Sequence, residues 1–448
     1  MNIDCTTSFR LTHLGVMIAG ENPGRIIGMP TSEVYSDPQL LQFPKNHLDN
    51  GIQAQLYVRD EDTLVVYYPD LSADLLERIR ENLLVNSSIW KQLTGISIQP
   101  KDLVIAHETS DVADLFKKRP INLKKGSLLT SSIETMAESG QSILGFVFSS
   151  GFLSELKKKI PTSIELDTMA RQTDFLMDKN HAITFLAAAG IKVARTFTYE
   201  RGGFTVSDLD RIGKGEFILK PAGGAAGIGL FPRAGIGASP ELLKDHLSEL
   251  ISSESLPWRF QIQEFLEGPV WGVMGLFLPG GRWQILQVHS QQMNGQGRFT
   301  GGRWTRSLEA ERLEFAEELF SALANLSSFG YQGLIEFDLI GERIIEVNPR
   351  ITASSPICHL LSLEGKLQEH LGQGFHLSQI DINTQVQFPE DLEKLRHVAN
   401  TIQKIQRDTE VLILPQGINP TGKSRVLFVN DDEDSKTQCR FLDELDVL

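Results

Sequence analysis

Cysteine is scarce: Cys5, Cys358 and Cys439 are the only three in 448 residues, and none stands in a CxxC pair. Neither a disulfide framework nor a structural zinc site is indicated, and a reducing, cytoplasmic setting is expected. No uninterrupted apolar run approaches the roughly 20 residues needed to span a bilayer. The opening Met-Asn-Ile-Asp-Cys-Thr-Thr lacks a basic segment followed by an apolar one, so neither a membrane anchor nor a cleaved leader is expected. Basic charge is also short. With 43 Lys and Arg against 57 Asp and Glu, the formal net charge is −14, which argues against sequence-independent nucleic-acid binding. Internal repeats are absent, and the one low-complexity patch is Asp431-Asp-Glu-Asp434. The glycine pattern of a dinucleotide loop is missing too: Gly20-Glu-Asn-Pro-Gly24 follows the first apolar run, Leu14 to Ala19, without it.

What is present is ordinary globular composition, 41% hydrophobic and 22% charged, over a length that accommodates two or three domains. Residues 12–150 alternate short apolar runs (Thr63 to Tyr68, Asp102 to Ala106, Ile143 to Ser149) with helical stretches such as Ser72 to Leu84, the pattern of an α/β domain. One helix is predicted from Leu166 to Ala189, running through Asp178-Lys179 and stopped by Gly190. Beyond it come extended segments at Phe217 to Phe231, Phe260 to Leu278, Trp283 to Ser290 and Gly333 to Pro349, with helices at Ser239 to Ser252 and Ser307 to Phe329. That is an antiparallel α+β layout. Helices are expected at Leu360 to Leu371 and Glu390 to Arg407, and a terminal hairpin from Val411 to Leu414 and Arg425 to Asn430.

The segment Gly333-Leu-Ile-Glu336-Phe-Asp338-Leu-Ile-Gly-Glu-Arg-Ile-Ile-Glu346-Val-Asn348-Pro-Arg350 sets two acid-bearing strands around a tight turn. Alternation sends Ile335, Phe337 and Leu339, then Ile345 and Val347, to a buried face, and Glu336, Asp338, Glu346 and Asn348 to the other. For the acidic rows to coincide, Glu336 is expected opposite Glu346, which calls for an odd loop Ile340-Gly341-Glu342 bulged at the glycine; a two-residue turn would break the site. Mg²⁺ prefers one or two carboxylates with waters and phosphates, so Glu336, Glu346 and the Asn348 amide oxygen are a suitable shell. Arg350 can reach a phosphate or carboxylate with its planar fork.

Upstream, Lys220-Pro-Ala-Gly223-Gly224-Ala-Ala-Gly227-Ile-Gly229 ends a strand in a glycine-rich loop. Glycine lets backbone amides approach phosphate oxygens, and Lys220 supplies a point charge. Gln263-Glu264-Phe265-Leu266-Glu267-Gly268 is a strand running into a hinge, with main-chain groups for an adenine edge and Glu264 or Glu267 for ribose hydroxyls. The basic, glycine-rich stretch Gln291 to Arg306 is expected to fold over substrate, with Arg298 and Arg303 facing developing phosphate charge; His289 nearby is assigned no role. Gly417-Ile-Asn-Pro-Thr-Gly422-Lys423-Ser424 matches a P-loop literally, but the residues after it, Arg425 to Asn430, are β-like rather than helical, so a hairpin turn is predicted.

In this order, Asp178-Lys179, Lys220 with its loop, Gln263 to Gly268, and Glu336 with Glu346-Val-Asn-Pro-Arg350 resemble the ATP-grasp superfamily of carboxylate-amine ligases over roughly residues 166–360, and standalone peptide ligases of the pheganomycin type in overall layout. The resemblance implies an α/β and α+β chain: a pre-ATP-grasp α/β domain at 1–165, an ATP-grasp domain of two α+β subdomains at 166–375, and a small C-terminal domain at 376–448. It implies ATP phosphates on Lys179 and Lys220 and along Gly223, Gly224 and Gly227, and adenine on Gln263, Glu264, Phe265 and Leu266, with Glu267 also among the nucleotide-binding residues. It also implies Mg²⁺, one ion or two and replaceable by Mn²⁺, on Glu336, Glu346 and Asn348, with Arg350 on phosphate or acyl phosphate. Asp338 adds a third carboxylate, so which acids bind metal stays open. The implied reaction joins a small-molecule carboxylate to an amine, an amino acid or peptide, with no nucleic acid or membrane partner and a homodimer left open. Activation of an enol or carbonyl oxygen, or nucleotide sensing without turnover, are the alternatives.

Overall fold

The computed structural model describes residues 25–29, 55–58, 62–67, 73–95, 97–100, 102–106, 142–145, 164–223, 229–232, 236–293, 299–326, 329–362, 376–383, 391–409, 411–415, 423–429, 436, 437, 440, 441 and 443. Within the first of these, β1 (Arg25–Met29), β2 (Thr63–Tyr67), β3 (Asp102–Ala106) and β4 (Ser142–Gly145) form a parallel sheet in the order β3-β2-β1-β4. Parallel pairing and the long helix α1 (Ala73–Thr94) agree with the α/β reading. The run Leu14 to Ala19 and the Gly20–Gly24 segment lie outside the described residues.

The predicted helix from Leu166 to Ala189 is two helices, α2 (Ile164–Met177) and α3 (Lys179–Ala188), broken at Asp178. Asp178 leaves helical geometry and caps α3, its Oδ1 accepting from the N–H groups of Asn180 (3.0 Å) and His181 (3.1 Å). The far end of α3 is a Schellman closure around Gly190 (φ 77°), with Gly190 N–H donating to Ala187 and Ile191 N–H to Leu186. The chain then runs into a small antiparallel sheet of β5 (Thr196–Glu200), β6 (Phe217–Pro221) and β7 (Arg259–Glu264), in the order β5-β7-β6. Helix α4 (Pro240–Ser252), capped by Ser239 and opened by Pro240, covers its apolar face through Leu243 and Leu247.

The other strands build one eight-stranded sheet. β8 (Val270–Leu278), β9 (Arg282–Met293), β10 (Phe299–Trp304), β11 (Gly333–Ile340), β12 (Arg343–Asn348), β13 (Leu377–Asn383), β14 (Leu412–Pro415) and β15 (Lys423–Val429) lie in the order β12-β11-β8-β9-β10-β13-β15-β14. Residues 376–448, expected as a domain of their own, thus contribute three strands that extend the central sheet by hydrogen bonding. Helix α6 (Ser355–Ser362) begins five residues before the predicted Leu360, while α7 (Asp391–Asp408) and the β14–β15 hairpin match expectation. Lys423 and Ser424 open a strand, so the P-loop match has no helix behind it.

One face of this sheet is covered by α5 (Arg306–Ala324), whose Ala316, Leu319, Phe320 and Leu323 recur at helical spacing. They pack with Ile335, Phe337 and Leu339 of β11 and with Ala182, Ile183 and Leu186 of α3. The opposite face of β11 and β12 is the one left for chemistry.

Candidate active site

Capping by Asp178 turns Lys179 out at the first position of α3. The Lys179 N–H donates to the Ala222 carbonyl (2.9 Å), and Arg259 Nη2 holds Asp178 Oδ2 at 2.7 Å, so the helix start is fastened to the strand that carries Lys220. Lys220 is 7% exposed. Its Nζ donates to Gln263 Oε1 at 2.7 Å and to the Ile345 carbonyl at 3.3 Å. Burial pulls its pKa down and Lys179 adds to that, while the charges of Glu346 and Asp338 act the other way. Gly229, at the far end of the loop (φ 77°), lies so close to Pro221 that a Cβ would come within 2.5 Å of its Cγ. Gly223 is exposed; Gly224 and Gly227 lie outside the described residues.

The acidic hairpin corrects the predicted register. Its turn is the two-residue Gly341-Glu342, with Gly341 at φ 60°, and the pairs are Glu336 with Asn348 and Asp338 with Glu346. A two-residue turn alone would put the acids out of phase. The site survives because Ile345 is an extra residue on β12, between the pairs Leu339–Ile344 and Asp338–Glu346. Ile344 and Val347, not Ile345, therefore enter the core. The bulge has a second effect: the Ile345 carbonyl accepts from both Lys220 Nζ and Gln263 Nε2, each at 3.3 Å, tying the two sheets together. The segment 192–194 lies alongside β12 as well, Ile344 N–H donating to Lys192 and Ala194 N–H to Ile344. Lys179 Nζ thereby stands 3.6 Å from Glu346 Oε1.

Around that pair, Asp338 accepts from Gln291 Nε2 and from Asn348 Nδ2 (3.0 Å), and Asn348 Oδ1 accepts from Arg350 Nη2 (2.9 Å). Arg350 Nε is buried without a partner. Burial, then the charges of Glu336 and Glu346, push the Asp338 carboxyl well above its usual range. For Glu346, burial acts upward but the Lys179, Lys220 and Arg350 charges outweigh it and hold the carboxyl low.

The fold that carries these residues has counterparts among solved structures. An L-amino acid ligase from Bacillus licheniformis superposes over 95% of this chain and 96% of its own, at 13% identity and a TM-score of 0.50. The ADP complex of N5-carboxyaminoimidazole ribonucleotide synthetase gives 95%, 96%, 12% and 0.53. A biotin carboxylase–β,γ-ATP complex from Campylobacter jejuni gives 94%, 95%, 12% and 0.54. The chain has the ATP-grasp fold. No family model and no curated protein matches it by sequence.

Within the ATP-grasp frame, several predicted residues fall otherwise than expected. Glu264 is engaged: its Oε1 accepts from the Arg195 N–H (2.7 Å) and from Arg343 Nη1 (2.8 Å). The Glu264 and Phe265 N–H groups donate to Arg195 and Glu216 carbonyls, so neither offers an adenine its main-chain donor. Leu266 is half-buried and Glu267 exposed at the hinge. The stretch Gln291 to Arg306 is mostly the β9–β10 hairpin rather than a loop; Arg298 lies outside the described residues. Arg303 pairs with Ser290, and strand alternation sets it on the face away from Gly302, which pairs with Gln291. It does not join the acidic row.

Glu336 also differs from expectation. Instead of opening on the cleft it is buried against His289, with Nε2 3.2 Å from Oε1, and accepts from Ser354 Oγ at 2.8 Å. Burial raises its pKa, and the neighbouring His289 with the Thr352 and Ser354 hydroxyls more than offsets that. His289, Gln291, Thr352 and Ser354 escape a reading of the sequence because no local motif marks them; only strand register brings them together.

Among the described residues no three His, Cys, Asp or Glu form a metal cage. The donor set nevertheless fits Mg²⁺. Asp338 and Glu346 are paired oxygen donors on adjacent strands, Asn348 adds an amide oxygen, and the raised Asp338 carboxyl marks negative charge in excess of its partners. No described helix is long and apolar enough to cross a membrane.

Proposed function

We propose that this protein is an ATP- and Mg²⁺-dependent ligase that joins a carboxylate to an amine, an amino acid or peptide, through an acyl phosphate. The observation that carries the proposal is the opposition of Lys179 and Lys220 to Asp338, Glu346, Asn348 and Arg350 in one cleft. Lys179, Lys220 and the glycine loop bind and orient the ATP phosphates, and Leu266 and Glu267 line the hinge on the adenosine side. Asp338, Glu346 and Asn348 would hold Mg²⁺, which when bound screens charge on the transferred phosphoryl group. Of the acids, Asp338 replaces Glu336 in that role, since it is Asp338 that faces Glu346. Arg350, with a donor left over, steadies the acyl phosphate.

In the reaction a substrate carboxylate oxygen attacks the γ-phosphorus, the bond to the bridging oxygen breaks and ADP leaves. The amine then attacks the acyl carbon, phosphate departs and the amine loses a proton, leaving an amide. The protein's part is positioning and charge stabilisation. The resemblance to an L-amino acid ligase favours amino-acid substrates among the options. The test is ADP and phosphate release from ATP and Mg²⁺ with pooled amino acids, dipeptides and small carboxylates, with mass spectrometry of products. A new mass equal to two pool members less water is expected; ATP binding with no ADP formed in any pool would reverse the proposal in favour of a nucleotide sensor.

A further inference from the structure

Glu336 and His289 stand on β11 and β9, with β8 between them, yet their facing atoms are 3.2 Å apart. Strands two apart are separated by roughly 10 Å, so both side chains must lean over the middle strand. The residue there is Gly272, paired with Asp338 on one side and His289 on the other. A Cβ at Gly272 would come within 2.4 Å of His289 Cε1 and 2.8 Å of both His289 Nε2 and Glu336 Oε1. Glycine inside a strand weakens it and often marks a close approach of other groups. Here the approaching groups are these two side chains. The same Glu336 Oε1 accepts from Ser354 Oγ, which also contacts Thr352 Oγ1 (2.9 Å). Gln287 Nε2 donates to the Ser354 carbonyl at 3.2 Å and meets His289 Nδ1 at 3.2 Å. Strand β9, strand β11 and the segment following Arg350 are thus closed into one buried polar set.

We infer that Glu336, His289 and Ser354 form a positioning latch, closed through the opening at Gly272, that sets Asp338 and Arg350 for the metal and phosphate. Glu336 acts on Asp338 along β11, and Ser354 on Arg350 along the chain; neither touches substrate. The inference rests on the nucleotide and metal site proposed above and gives Glu336 a role other than metal ligand.

The test uses the full chain, a non-hydrolysable ATP analogue and Mn²⁺ as probe. Analogue affinity without metal is read by calorimetry, and Mn²⁺ affinity at saturating analogue by electron paramagnetic resonance of free Mn²⁺. His289→Ala and Gly272→Ala are expected to weaken Mn²⁺ binding by about tenfold or more, the scale of outer-sphere ligands, while metal-free analogue affinity stays within about threefold. Glu336→Gln, which keeps the acceptor for Ser354, should stay within about threefold on both readouts. The Gly272→Ala/His289→Ala double variant should lose less than the sum of the two single losses, because the ring that the new methyl meets first is gone. Should Gly272→Ala fail to fold, the double variant decides, since it folds when His289 is the obstacle. Loss of Mn²⁺ binding in Glu336→Gln equal to that in Asp338→Asn, with His289→Ala silent, would overturn the latch and make Glu336 a ligand. Additive effects in the double variant would overturn the opening at Gly272. Wild-type protein that binds neither analogue nor Mn²⁺ overturns the nucleotide site, and the latch with it; binding with unchanged variants overturns the latch alone.

Discussion

The two walls of the cleft solve opposite electrostatic problems. On the β5–β7–β6 wall a buried cation, Lys220, is met only by neutral oxygens, those of Gln263 and Ile345, within hydrogen-bond reach. On the hairpin wall three carboxylates crowd together; Glu336 and Glu346 are held ionised by their partners, and Asp338 is pushed toward its neutral form. Lys179 and Glu346 form an ion pair across the divide, at a loose 3.6 Å. The proposed metal–phosphate ligand would bring negative charge to the lysine wall and positive charge to the acidic one.

Removing the cation should break the comparison most. Lys220→Met is expected to weaken ATP binding by about 100-fold, or about 3 kcal/mol, in calorimetry, with the fold retained by circular dichroism because a buried charge is replaced by an apolar chain. On the other wall, Glu346→Gln and Arg350→Ala should each lower turnover by about 100-fold or more while the protein stays folded; wild-type rates in either variant would remove these residues from the site.

The two walls should also separate in pH. The Glu346 carboxyl sits below its ordinary 4.5, so its pair with Lys179 stabilises above that value and is lost as pH falls through the lowered pKa. Asp338 is raised above 3.8, so its effect has the opposite sign: the ligand-free protein loses stability as pH rises through the raised pKa. Melting temperature against pH should therefore climb as pH falls through the raised Asp338 pKa and then drop as it falls through the lowered Glu346 pKa. MgATP should flatten the first phase only. By the same reasoning Asp338→Asn should raise the ligand-free melting temperature at neutral pH by about 1–3 °C while abolishing metal binding; a lower melting temperature would contradict the like-charge account. The smallest effect is expected for Arg303→Ala, within about threefold of wild-type turnover, because β10 turns that residue away from the acidic row.

Much of the cleft was legible in the linear chain. Lysine before a glycine loop, a hinge ending in Gly268 and alternating acids in two apolar strands are local patterns, and local patterns set strand faces and turn chemistry. Phase was not legible. The bulge at Ile345 is one residue in a β-branched run that reads equally well unbulged, and with the two-residue turn it decides whether Asp338 or Phe337 meets Glu346. The helix break at Asp178 was hidden likewise, because aspartate is tolerated within a helix and the arginine that pairs with it, Arg259, reaches it from β7. The apparent C-terminal domain failed to read as part of the sheet because its partner in pairing, β10, is more than seventy residues upstream.

By itself the sequence determined which side chains are available and which face of each strand they occupy, since these depend on residue type and a period of two. Only the tertiary structure decided which strands are neighbours, and so which acid faces which, where Arg303 points, and that a histidine with no motif around it closes on Glu336 through the space left by Gly272. Those outcomes depend on register and sheet order, which are set by the burial of whole faces against helices and other sheets rather than by any short stretch of chain.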